Sequence, residues 1–124
     1  MTLILDAGAL IGLERNDRHL VVLLSRAVER GDTIVVPAGV VAQVWREPSR
    51  QVRLVRFLNA DGINIATLDA ELARAVGRLL AARESSDVID ASVVVLAYQH
   101  AATVVTSDAN DITRLSANLR IIEC

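Results

Sequence analysis

Four aspartates stand where carboxylates from distant segments can meet. Asp6 follows the apolar run TLIL and Asp108 follows VVTS, so each acid comes directly after a predicted buried strand. Asp111 stands three residues after Asp108, and Asp90 lies within the apolar stretch SDVIDASVVVLAY. A lone carboxylate on an apolar helix face is strongly disfavoured, so Asp90 needs a partner or a cation.

The local sequence does not neutralise these four acids, because Arg114 is the only basic residue within three positions of any of them. Like charges that are brought together raise one another's pKa or recruit a metal ion. The candidate ligands are all oxygen donors, and no cysteine or histidine pair stands at ligand spacing. The pattern therefore indicates a hard divalent cation, Mg²⁺ or Mn²⁺.

Each acid taken alone also has a structural explanation. Asp6 or Asp108 can cap a helix or form a turn, and Asp111 can begin the short helix of DITRLSA. Asp87 follows two serines and precedes Asp90 by three residues, which favours a helix N-cap over a metal ligand. The shared site is favoured by the conjunction of two acids at strand ends with one acid on an apolar helix.

The elements that position these acids alternate between short β-type runs and helical periods. The predicted strands are Thr2–Leu5, Thr33–Val36, Ile63–Ala66, Thr103–Val105 and Leu119–Ile122. We find no internal repeat and no long linker, so residues 1–124 are expected to form a single domain. The order predicts a three-layer α/β/α sandwich with a parallel sheet of about five strands. In such sheets ligands bind beyond the carboxyl ends of the strands.

Cap and turn residues predict where the later helices begin. Ser49 and Thr67 are the predicted N-caps of two of them, and the cluster Ser85-Ser86-Asp87 opens the most apolar helix. Val52 is expected to point into the core, and Leu68 is expected on the buried face of the long amphipathic helix.

Composition restricts the class of function. Hydrophobic residues make up 52% of the chain and aromatic residues 2%, so the core must be aliphatic and bases cannot be held by aromatic stacking. The net charge of −2 neither predicts nor excludes nucleic-acid binding. All 13 basic residues are arginine. The absence of lysine argues against a response-regulator receiver domain, a small five-stranded α/β protein that relies on a lysine.

The expected compartment is the cytoplasm. Cys124 is the only cysteine, which excludes an intrachain disulfide. The first residues, MTLILD, meet an aspartate early and carry no basic region, unlike a signal peptide. The longest uncharged run, residues 91–107, is broken by polar residues and fits a helix plus a strand better than a membrane span.

In their order and spacing, the segments DAGALIGL, VPAGVVAQVWR, DVIDASVVVLA and VVTSDANDI resemble the PIN domain, and more narrowly the VapC toxins of bacterial toxin–antitoxin systems. The resemblance implies a Mg²⁺- or Mn²⁺-dependent endoribonuclease that a cognate antitoxin inhibits and that usually forms a homodimer. It assigns catalysis to Asp6, Asp90 and Asp108, all of them metal ligands. Asp111 matches a more variable acidic ligand, and Thr106 matches the hydroxyl of the T-x-D motif.

The implied reaction is hydrolysis of an RNA phosphodiester, which requires a nucleophilic water and stabilisation of the charge on the phosphate oxygens. A cation held by Asp6, Asp90 and Asp108 would supply both, with room for a second ion near Asp111.

Two positions depart from the family pattern. Gly8 stands where many relatives carry serine or asparagine, so a hydroxyl contact is missing there. Gln43 stands where the family often has a glutamate, so metal affinity should fall unless another acid compensates. Asp87 is favoured over Glu47 for that role, and an equal alternative is that the remaining aspartates suffice. The alternative function is a catalytically weakened PIN-like module that binds RNA or antitoxin without cleaving.

An acidic pocket repels RNA, so arginines around it should contact the RNA backbone. Arg46, Arg50 and Arg53 recur at helical spacing and predict a ridge that contacts RNA or antitoxin, the alternative being a solvated helix face. Arg15 and Arg83 are further candidates that the spacing does not support.

Overall fold

The computed structural model describes residues 1–124 and shows a parallel sheet with helices packed on both faces. The five strands are β1 (Thr2–Leu5), β2 (Thr33–Pro37), β3 (Ile63–Ala66), β4 (Thr103–Thr106) and β5 (Arg120–Glu123). Their order across the sheet is β3-β2-β1-β4-β5, and all four neighbouring pairs are parallel. The predicted strands are confirmed to within one residue at each end.

Seven helices connect the strands. They are α1 (Ala7–Glu14), α2 (Arg18–Glu29), α3 (Ala38–Val44), α4 (Val52–Leu58), α5 (Ala70–Arg83), α6 (Val88–Gln99) and α7 (Ala109–Leu115). Helix α1 packs against β1 and β4 and also contacts α2 and α4, whereas α6 packs against β1, β2 and β4 and is covered by α5 and α7. The predicted three-layer α/β/α sandwich is therefore confirmed.

The core is aliphatic, as the composition requires. Ile4 and Leu5 of β1 and Val104 and Val105 of β4 are fully buried, because both strands lie inside the sheet with helices on each face. Strands β1 and β4 are paired so that Leu5 lies beside Val105. The chain therefore leaves both central strands at adjacent points on the same edge of the sheet, where Asp6 and Asp108 follow.

The predicted start of α4 is wrong. Ser49 lies inside a 3-10 turn, Pro48–Arg50, and α4 begins only at Val52. Gln51 takes the boundary position because its side chain donates to the carbonyl of Val44 at 2.8 Å and accepts from the N–H of Arg46 at 2.9 Å. Val52 is 50% exposed and does not point inward, whereas Leu54 and Leu58 are the buried residues of α4.

The predicted cap of α5 is also wrong. Asp69 is the N-cap, and its Oδ1 accepts the N–H of Leu72 at 2.8 Å. A carboxylate is a strong N-cap acceptor and carries a charge that the helix dipole favours, so Asp69 prevails over Thr67. Leu68 consequently lies before the helix and is 44% exposed.

Candidate active site

Asp6 lies at the junction of β1 and α1 and is 8% exposed. Its Oδ1 accepts the N–H of Ala9 at 3.1 Å, so Asp6 is the N-cap of α1, and its Oδ2 accepts a hydrogen bond from the Thr106 hydroxyl. Burial raises the pKa of Asp6, while the hydrogen bonds from Thr106, Ala9 and Gly8 oppose that rise. The capping role expected as an alternative is present, and it places a buried carboxylate at the edge of the sheet.

Thr106 connects the exits of the two central strands. It is fully buried at the end of β4, and its hydroxyl both donates to Asp6 and accepts the N–H of Asp108 at 2.9 Å. Asp108 is the N-cap of α7, where its Oδ1 accepts the N–H of Asp111 at 3.2 Å. A continuous set of hydrogen bonds therefore joins residues 6 and 111.

Asp87 and Asp90 lie together at the start of α6. Asp87 is the N-cap, as expected, and its Oδ1 accepts the N–H of Asp90 at 2.9 Å. The pKa of Asp90 is raised to about 7, mainly by burial and in smaller part by the charge of Asp87, a hydrogen bond with Asp87, and the charges of Asp111 and Asp6. The acid on α6 is thus within the electrostatic influence of acids that follow β1 and β4.

Asp111 is half-buried in the first turn of α7. The hydrogen bond with Asp108 and the negative charge of Asp108 raise the pKa of Asp111, while the charge of Arg114 opposes that rise. An Nη1 of Arg114 lies 3.3 Å from Oδ1 of Asp111. Asp111 is therefore placed between an acid and a base of its own helix region.

A cavity of about 440 Å³ opens at the acids of α6 and α7. Asp87, Asp90 and Asp111 line it together with Arg83 and Arg114. Sequence spacing did not single out Arg83 or Arg114 for this position. The only sequence signal for Arg114 is its place three residues after Asp111, and Arg83 has none because it reaches the cavity through the packing of α5 on α6.

Gln43 lines a different groove. That groove, of about 450 Å³, also contains Glu14 and Arg15 of α1 and continues to Arg46 and Arg50. The two acids that were predicted to compensate for Gln43 lie in different places. Asp87 lines the cavity of Asp90, whereas Glu47 lines the groove of Gln43.

Two of the three arginines of the predicted ridge have local partners. The guanidinium of Arg46 donates to the carbonyls of Ala42 and Trp45 at 3.0 and 2.8 Å. Arg50 pairs with Glu47 at 3.1 Å. Arg53 is exposed on α4.

Gly8 is required by a close approach between α1 and the turn after β4. A Cβ at position 8 would lie 1.8 Å from Oγ of Ser107, so any side chain there must displace the serine. The local sequence pattern gives no signal for this contact, because the two residues are 99 positions apart. A hydroxyl therefore does stand beside position 8, and Ser107 supplies it.

The donor chemistry of the acids fits a hard divalent cation. All the donors are carboxylate oxygens, and the raised pKa values of Asp90 and Asp111 reflect in part a mutual repulsion that a cation would relieve. No three acidic, histidine or cysteine side chains are already grouped so that they could hold an ion. The residues thus suit the ion chemically, and binding would require their side chains to converge.

The metal-free protein is expected to be more stable at pH 5 than at pH 8. The pKa of Asp90 is about 7 in the folded state against an ordinary value of 3.8, so between these values the folded state binds more protons than the unfolded state. The free energy of unfolding therefore falls as the pH rises from 5 through 7, by roughly 1 kcal/mol once solvent screening is allowed for. Urea denaturation in EDTA at the two pH values measures this difference.

Asp90→Asn is the control for this titration. The variant has no carboxyl to protonate, so most of the difference between pH 5 and pH 8 should vanish. An equal difference in the variant would show that other groups cause it.

Fold and site together define a class of protein: a parallel α/β sandwich whose central strands deliver acids to one edge of the sheet, where an apolar helix adds further acids. The PIN domain family matches residues 3–118. The chain therefore belongs to the PIN domain family. A comparison with curated proteins found no match. No helix combines the length and the apolar character needed to cross a bilayer.

Solved structures share this fold at low sequence identity. VapBC2 from Rickettsia felis, bound to a DNA fragment from its promoter, superposes with a TM-score of 0.76 at 18% identity, over 99% of this chain and 98% of that chain. VapC20 of Mycobacterium tuberculosis, a toxin that cleaves the Sarcin-Ricin loop, superposes with a TM-score of 0.70 at 12% identity, over 98% of this chain and 99% of that chain. VapBC-1 from nontypeable Haemophilus influenzae superposes with a TM-score of 0.68 at 15% identity, over 99% of this chain and 98% of that chain.

Proposed function

We propose that the chain is a Mg²⁺- or Mn²⁺-dependent endoribonuclease and the toxin of a type II toxin–antitoxin system. One observation carries the proposal: the Thr106 hydroxyl bonds both the carboxylate of Asp6 and the N–H of Asp108, so the acids that follow the two central strands are joined at one edge of the sheet. Membership of the PIN domain family supports it, as does the likeness to VapBC complexes and to a toxin that cleaves the Sarcin-Ricin loop.

In this proposal Asp6, Asp90 and Asp108 would hold the ion, with Asp111 beside them. A bound divalent cation would supply positive charge for the phosphate oxygens and lower the pKa of the attacking water. Hydrogen bonds within the chain would orient the carboxylates. The N–H of Ala9 and the hydroxyl of Thr106 each hold one oxygen of Asp6, so that carboxylate cannot rotate freely. The N–H of Asp90 holds one oxygen of Asp87.

The proposed partners are an RNA substrate, a cognate antitoxin and a second copy of the chain, all in the cytoplasm. The groove that contains Gln43, Arg46 and Arg50 is the proposed surface for RNA or antitoxin, with exposed Arg53 nearby in the chain. We propose that Asp87 replaces the acid that is absent at Gln43, since Asp87 lines the same cavity as Asp90.

A second candidate function is a PIN-like module that binds RNA or antitoxin without cleaving. Two observations favour it: Gln43 is neutral and lies in a separate groove, and no three carboxylates are already grouped around one point.

Incubation of the purified chain with a mixed RNA substrate separates these functions. The nuclease is expected to cleave with Mg²⁺ or Mn²⁺ and to lose at least about 100-fold of its rate in EDTA, because the water and the phosphate charge would then be unassisted. Binding of RNA without metal-dependent cleavage would support the second candidate and contradict the first.

A further inference from the structure

We propose that Arg83 and Arg114 form the phosphate-binding side of the acidic cavity and contact the backbone of single-stranded RNA. This inference rests on the proposed function, since it names the residues through which that site would hold its substrate. The two side chains line the 440 Å³ cavity with Asp87, Asp90 and Asp111.

The fold brings Arg83 to the cavity at the end of a helix. Arg83 is the last residue of α5, and Glu84 then adopts a left-handed conformation with φ 51° and ψ 45°. This turn ends α5, where the N–H of Ser85 donates to the carbonyl of Leu80 at 3.0 Å. The chain reverses within a few residues and enters α6 at Asp87, so the end of α5 stays beside the first turn of α6.

Arg114 reaches the same cavity from α7. It stands one helical turn after Asp111, and its guanidinium lies 3.3 Å from that carboxylate. The arginine side chain is 79% exposed, so Asp111 engages only one end of the guanidinium and leaves other N–H donors free for a ligand.

The charges explain why these arginines suit a phosphate. Three carboxylates in the cavity repel an RNA backbone, and an arginine on the cavity wall offsets that repulsion where the phosphate must lie. Arg83 forms no ion pair, so its full charge is available. A planar guanidinium also binds two phosphate oxygens at once, which an isolated ammonium does less well.

Two of the other arginine candidates are less available. Arg46 is occupied by two backbone carbonyls and Arg50 by Glu47, and both line the groove of Gln43 rather than the acidic cavity. These contacts favour Arg83, which the spacing did not support, and Arg114 for the phosphate contact at the acidic cavity, while the groove of Gln43 remains the proposed surface for RNA or antitoxin outside that cavity.

Binding of a fluorescently labelled single-stranded RNA, followed by anisotropy over a range of KCl concentrations, tests the proposal. All variants carry Asp6→Asn, so that cleavage does not complicate the measurement. Arg83→Gln should weaken binding about five- to tenfold at low salt and reduce the slope of log K against log[salt] by about 0.7, the change expected for one lost phosphate contact with a single strand. Arg83→Gln with Arg114→Gln should lower the slope by about twice as much.

Arg78→Gln is the matched control. Arg78 lies on the same helix, is exposed and does not line the cavity, and its loss changes the net charge by the same amount. Arg78→Gln should leave the slope within error of the parent. Equal effects of Arg78→Gln and Arg83→Gln would overturn the proposal, as would the absence of any RNA binding by the parent protein.

Kinetics of the chain with Asp6 intact separate this inference from the proposed function. Arg83→Gln should raise KM about fivefold and change kcat less than twofold. Arg83→Lys keeps the positive charge and should show a smaller rise in KM. Cleavage with an unchanged KM in Arg83→Gln would leave the nuclease standing and overturn the phosphate assignment. Arginine-specific binding without any metal-dependent cleavage would support the assignment and overturn the nuclease.

Discussion

Asp6→Asn should lower the rate of RNA cleavage more than about 100-fold and leave the fold intact. Loss of groups that merely orient metal ligands costs 10- to 100-fold in activity, so loss of a proposed ligand charge should cost at least as much. The fold should survive because the asparagine Oδ1 can still accept the N–H of Ala9 and its amide can donate to Thr106. Single-turnover cleavage in Mg²⁺ measures the effect, and circular dichroism establishes folding.

Asp69→Asn provides a matched control for Asp6→Asn. Asp69 caps α5 through the same Oδ1 to N–H geometry, at 2.8 Å, but it is not one of the proposed metal ligands. Its replacement should therefore leave cleavage within about twofold of the parent. An Asp6→Asn protein that retained more than a tenth of the activity would rule out Asp6 as a ligand.

Thr106→Val should destabilise the protein and reduce cleavage together. The hydroxyl is fully buried and bonds two partners, so its removal leaves the N–H of Asp108 and one oxygen of Asp6 unsatisfied. Leaving a buried polar group without a partner costs about 1–3 kcal/mol. Cleavage should fall roughly 10- to 100-fold, because Asp6 is no longer held in place. Urea denaturation and single-turnover cleavage measure the two effects.

The pH dependence of the cleavage rate distinguishes the positioning of Asp6 by Thr106 from a general loss of stability. A hydrogen bond from Thr106 lowers the pKa of Asp6, so its loss should raise that pKa further and move the acid limb of the rate profile to higher pH. Thr106→Ser keeps the hydroxyl and should restore both the rate and the profile. Thr103→Val, a buried position on the same strand, should leave the profile unchanged. A normal acid limb in Thr106→Val would contradict the positioning role.

The sequence by itself determined the layers of the fold and the positions of the acids. Short β-type runs and helical periods reflect local alternation of apolar residues, so they revealed the strands and the parallel sheet. Asp6 and Asp108 were recognisable because strand ends of a parallel sheet share one edge. Asp87 was recognisable as a cap because capping depends on residues only three positions apart.

Helix starts were less predictable where two neighbouring residues could each occupy the helix boundary. Ser49 and Thr67 had suitable side chains, and Gln51 and Asp69 prevailed through contacts that the local pattern does not rank. The buried Gln51 is the clearer case, since its bonds to Val44 and Arg46 form only after α3 ends and the chain turns back.

Only the tertiary structure decided which side chains share a site. The bond between Thr106 and Asp6, the approach of Ser107 to Gly8 and the arrival of Arg83 beside Asp90 all join residues that are distant in the sequence or on different helices. The separation of Gln43 from the acidic cavity is of the same kind. Such contacts depend on how helices pack across the sheet, and that packing is set by the summed fit of many side chains rather than by the period of any one segment.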